Sequence, residues 1–213
     1  MKTDELVALL AEQAGPVDRR LPQRRFGIAL LAGWAGAGAL AALTFGLRPD
    51  LKVVLLQPAF AAKMGFALCM VAAATWIAAR LAHPGRRIGS AWAGLAVPVL
   101  LAWAAAAAIL WLAPAEARLG LLQGQSWRSC PFNIASLSPP AFVAVFWALR
   151  GLAPTRLRAA GAAGGLLAGA IATLAYCLHC PEMAVPFWSL WYLLGMAIPA
   201  VVGALLGPRL LRW

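Results

Sequence analysis

The sequence predicts an all-α, polytopic membrane protein with six transmembrane helices and both termini cytoplasmic. Three observations carry this. The 213 residues are 63% hydrophobic and only 12% charged. Mean hydropathy is +0.80, and several apolar runs are long enough to cross a bilayer. The basic residues fall between those runs with a consistent bias. Under the alternating topology, 13 of the 18 Lys and Arg residues lie on the amino-terminal side of the membrane and 5 on the other. Positive charge stays in the cytoplasm, so that side is the inside.

The net charge is +11. In a soluble chain this would point to nucleic acid. Here the arginines flank apolar runs, so the expected contact is anionic membrane lipid, with no direct nucleic-acid binding.

Residues 1–25 form the one sizeable polar segment. Thr3 can cap a short helix whose first turn suits Asp4 and Glu5. Leu6, Leu9 and Leu10 fall on one stripe, and Gly15-Pro16 ends it. The stripe has no intramolecular apolar face to cover it. The readings are a free tail, a helix lying on headgroups, or a docking helix for a partner protein. Asp4, Glu5 and Glu12 disfavour the anionic surface, which leaves the tail or the partner.

Arg19, Arg20, Arg24 and Arg25 mark the inner edge. Phe26 to Leu47 is the first crossing, about 33 Å as a helix. Arg48 to Pro58 is an outer loop, and Ala59 to Ala79 returns. Lys63, one turn inside, is expected to snorkel outward. Arg80 to Arg87 is a basic inner turn, and Ile88 to Leu112 crosses with a kink at Pro98. Residues 113–138 are the longest outer connection. The fourth crossing begins near Ile134 or runs on to Leu152, because only a short apolar run separates Pro140 from Arg150. After a basic turn, Ala159 to Leu178 and Val185 to Leu206 complete the six. Gly161, Gly164, Gly165 and Gly169 allow close helix approach. Trp34, Trp92, Trp188 and Trp191 are candidate interfacial anchors. Cys69, in mid-span, reads as an apolar filler.

Chemistry concentrates in Tyr176-Cys177-Leu178-His179-Cys180-Pro181-Glu182. Two thiols, an imidazole and a carboxylate can bind a soft metal or cycle between thiol and disulfide. The plain alternative is a polar helix end with its thiols packed as small apolar groups. Cys130 and this stretch share the outer, oxidising side. The chain offers no nucleophile with base and orienting acid, no phosphate loop and no carboxylate pair, so enzymatic function is not expected. Ionisable groups within the spans are nearly absent, which speaks against a transporter. Signalling between an outer site and an inner tail remains. The alternative is a membrane thiol oxidoreductase or metal-handling protein using Cys130, Cys177 and Cys180.

Met1-Lys-Thr-Asp-Glu-Leu6-Val-Ala-Leu-Leu10-Ala, Gly15-Pro-Val-Asp-Arg-Arg20, Cys130-Pro131 and His179-Cys180-Pro181-Glu182 together resemble the NrsF-type anti-sigma factors. The resemblance spans the chain. It implies a multi-pass protein of the bacterial inner membrane that holds an extracytoplasmic-function sigma factor inactive. It implies that residues 1–25, with Asp4, Glu5, Leu6, Leu9 and Leu10, bind that sigma factor, and that residues 26–213 are the transmembrane sensor. It further implies that Cys130 and Cys180 sense heavy metal or oxidative stress. No resident cofactor is required. A sensed ion such as copper or zinc would suit Cys130 and Cys180 with His179, with Glu182 and Cys177 as further candidates. A constitutive Cys130–Cys180 staple is the structural alternative.

Overall fold

A computed structural model of the chain describes residues 3–5, 7, 20–46, 48–83, 85 and 88–212. Among these residues every regular element is a helix: α1 Leu21–Thr44, α2 Leu51–Val54, α3 Pro58–Leu81, α4 Ala91–Leu112, α5 Ala115–Gln123, α6 Cys130–Leu137, α7 Pro139–Arg150, α8 Leu157–Tyr176 and α9 Val185–Leu210. Proline occupies the first turn of α1, α3, α6, α7 and α9. Its missing N–H costs nothing there, and its fixed φ is already helical.

α1, α3, α4, α8 and α9 are each long and apolar enough to cross a membrane. α6 and α7 pass the same test together but meet at 48°. Pro139 cannot donate to the Ala135 carbonyl, which accepts from the Ser138 hydroxyl at 2.7 Å instead. The fourth predicted crossing is therefore a broken pair beginning at Cys130. The connection expected over 113–138 is largely helical, since α5 and most of α6 lie within it. The other spans shift by a few residues. α1 begins before Phe26, because Pro22 starts a helix that continues through Arg24 and Arg25.

α8 is the central post. It packs on α9, α3, α7, α1 and α6. Of its apolar stretch 78% is buried, against 11% for α4, so α4 sits at the edge on α3 and α9. Small residues make the central contact. A Cβ at Gly165 would collide with the Pro199 carbonyl, and one at Gly203 with the Gly161 carbonyl. The glycines spaced four apart on α8 thus let two backbones touch.

The bundle has two distinct ends. At one, Arg25 stacks 5.1 Å over Trp147, and Leu211 packs with Leu149, Leu152 and Leu157. At the other, the chain segments around Gly46, Arg48, Gln125 and Cys180 are joined by hydrogen bonds. Outer faces are apolar: Leu31, Leu43, Trp111, Val143 and Leu205 are exposed. Trp34 and Trp92 are exposed, whereas Trp188 is buried against Phe66. Cys69 is exposed on the flank of α3 rather than filling a core gap.

Candidate thiol site

α8 ends in a tight turn. Cys177 N–H still donates to Thr173, and Cys180 N–H reaches back to the Tyr176 carbonyl at 2.9 Å. Pro181 follows, has no N–H to donate, and the chain leaves the helix. Cys180 is thereby placed one turn beyond the end of α8. Cys130 opens α6, its N–H held by the Ser126 carbonyl at 2.9 Å.

These two cysteines meet. Cys130, Cys177 and Cys180 are all fully buried in one apolar cluster with Phe66, Ile134, Phe187 and Tyr192. All are free thiols. The Cys130 and Cys180 thiols lie within interaction range of each other. The neighbouring Cys130 thiol, reinforced by the charge of Lys63, draws the Cys180 thiol below the ordinary cysteine range, against the opposing effect of burial. The Tyr192 hydroxyl lies against Cys177 and Cys180 but makes no hydrogen bond of ordinary geometry. The Tyr176 hydroxyl accepts from Asn133 Nδ2 at 3.3 Å.

Lys63 does not snorkel. It is fully buried and points along α3 into the site. Its Nζ donates to the Cys180 carbonyl at 2.7 Å and the Glu182 carbonyl at 2.9 Å, and sits 5.8 Å over the Tyr192 ring. Two main-chain carbonyls and an aromatic face hold it there. Arg48 reaches the same turn from outside, donating to the Cys180 and Pro181 carbonyls at 3.3 and 3.4 Å while Asp50 pairs with it.

His179 and Glu182 are directed elsewhere. His179 Nδ1 lies 3.0 Å from the Gly46 carbonyl, with its ring between Phe45 and Tyr176. Glu182 accepts the Gln125 N–H at 2.7 Å. Among the described residues no three of His, Cys, Asp and Glu are arranged around one ion. The arrangement is a thiol pair in contact with a third thiol nearby. Such a pair can close to a disulfide or be bridged by a two-coordinate thiophilic ion. In the tail, Thr3, Asp4, Glu5 and Val7 are helical and exposed. Leu6, Leu9 and Leu10 lie outside the described residues.

A family model described as "Negative regulator of sigma F", NrsF, matches residues 10–213. The chain belongs to the NrsF family. Its sequence is 47% identical over 213 residues to the probable anti-sigma-F factor NrsF of Azospira oryzae, with both chains covered in full. It is 39% identical over 219 residues to the anti-sigma-F factor NrsF of Caulobacter vibrioides, again over both whole chains. No solved structure matches. The matched family is described as a negative regulator of a sigma factor.

Lys63, Arg48, Tyr192 and Gly46 were not singled out as site residues from sequence. Only Lys63 carried a signal, as the one cation inside the second apolar run.

Proposed function

We propose that the chain is an inner-membrane anti-sigma factor that holds an extracytoplasmic-function sigma factor on residues 1–25 and releases it when Cys130 and Cys180 react. The exposed apolar faces of the helices suit lipid, and the bias of basic residues orients both termini inward. The observation that carries the reading is the burial of Cys130 and Cys180, from separate elements, as free thiols in one cluster.

Oxidation of the pair joins the sulfurs at about 2.05 Å. Two protons and two electrons leave to the oxidant. A two-coordinate thiophilic metal ion would instead bridge the same two atoms and fix their separation. Either event moves α6 relative to the turn after α8. That turn is tied to Gly46 and Arg48 at the outer end of α1. α1 runs unbroken to Leu21, next to the tail. The thiol pair therefore has a continuous mechanical connection to the inner side. Its effect is limited to the difference in stability of the bonded pair between the holding and releasing states.

The test is co-purification of an extracytoplasmic-function sigma factor from the same genome, with residues 1–25 present or removed. The full chain should retain it and the truncated chain should not, both being present in the membrane. Equal retention would move the binding surface to the inner loops.

A further inference from the structure

We propose that Lys63 is the positioning residue of the thiol pair, holding the Cys180 turn against Cys130 so that the two sulfurs can be joined. The inference rests on the reading of the pair as the sensor.

The turn after α8 has a physical difficulty that Lys63 resolves. Residues 180–184 have no regular structure, yet Cys180 is fully buried. The buried Cys180 carbonyl needs a donor, and neither helix α8 nor α9 supplies one. Pro181, in the middle, contributes no N–H. Lys63 Nζ donates to the carbonyls on either side of it, at Cys180 and Glu182. Arg48 adds longer bonds from the rim.

Lys63 is also an expensive residue at this place. It is 0% exposed, and its hydrogen bonds go to main-chain oxygens rather than to a carboxylate. A buried cation without a carboxylate partner is costly, and an apolar residue would fill α3 at lower cost. Without it, the Cys180 carbonyl loses its shorter bond and swings toward Arg48. The sulfur on the same residue rotates with it, away from Cys130. A disulfide tolerates only a narrow range of Cα separation and dihedral angle, so a small rotation slows closure steeply.

The experiment uses the full-length protein in membrane vesicles and diamide as the oxidant. Peptide mass spectrometry follows the rate at which the Cys130–Cys180 bridge forms, and capture of the sigma factor is read separately. Lys63→Met should slow bridging by about tenfold or more even above the pH at which Cys180 is fully thiolate in the variant, where the lost charge of Lys63 no longer limits the rate. Lys63→Arg, which keeps donors within reach of the carbonyls, should restore it to within about threefold of wild type. Both should still capture the sigma factor at rest. Wild-type bridging in Lys63→Met, or bridging as slow in Lys63→Arg as in Lys63→Met, would overturn the assignment. Should Lys63→Met fail to accumulate, Lys63→Gln, too short to reach both carbonyls, is read by the same criteria. If the wild-type pair bridges without releasing the sigma factor, the sensor reading fails while the role of Lys63 in bridging stands.

Discussion

Glu182 accepts the backbone N–H of Gln125 at 2.7 Å, across 57 positions of sequence. The bond joins the segment that leads into Cys130 to the segment that follows Cys180. It therefore sets the two cysteines in register from the rim, as Lys63 does from below. Ser126 Oγ stands at 3.5 Å from the same oxygen. Glu182→Ala should remove this latch and cost about 1 kcal/mol, the worth of one hydrogen bond near the surface. Thermal unfolding in detergent should show a small drop, and Cys130–Cys180 bridging should slow less than in Lys63→Met. An unchanged bridging rate would mean that the rim does not set the register.

The shift at Cys180 has a definite sign. Its thiol is drawn down by the neighbouring Cys130 thiol and the charge of Lys63, so the thiolate persists below the pH at which an ordinary cysteine reprotonates. A free cysteine titrates near 8.5. Alkylation of Cys180 by N-ethylmaleimide, followed by mass spectrometry against pH, should therefore show a midpoint below that value. Cys130→Ala removes the neighbouring thiol and should move the midpoint up. The linked stability is present above the unfolded-state value and is lost as pH falls through the lowered folded value. A Cys180 midpoint at or above the ordinary value would contradict the interaction of the pair.

Orientation is best tested away from the native thiols, because Cys130 and Cys180 are buried and react slowly whichever side they face. Gln125 and Thr155 are exposed and lie at opposite ends of the bundle. In a cysteine-free background, Gln125→Cys should label with a membrane-impermeant maleimide in intact spheroplasts. Thr155→Cys should label only after rupture. The reverse pattern would invert the topology.

The helices were legible because an apolar run of bilayer length leaves little else to be. The break at Ser138 was less legible: Pro139-Pro140 announces a helix start, and that another helix ends against it depends on the Ser138 hydroxyl taking the Ala135 carbonyl. Cys130 and Cys180 were placed on one side by counting charges, and their contact needed the packing of α6 on α8 and α9. His179 and Glu182 looked like ligands because they are the ligand types beside a cysteine. Their partners, Gly46 and Gln125, are main-chain groups that no motif can announce. Lys63 was misplaced for a physical reason. A lone lysine near the end of an apolar helix normally reaches for water, and only the folded turn supplies the two carbonyls that draw it inward.

The central claim is that reaction of the Cys130–Cys180 pair frees the sigma factor. The most direct measurement is release of the sigma factor from full-length protein in membranes after diamide, comparing wild type with Cys130→Ser, Cys180→Ser and the double variant. Wild type should release it. Each variant should hold it at rest and keep holding it under oxidant, with the double change adding nothing, because losing one sulfur already removes the unit. Normal release from the double variant would contradict the account.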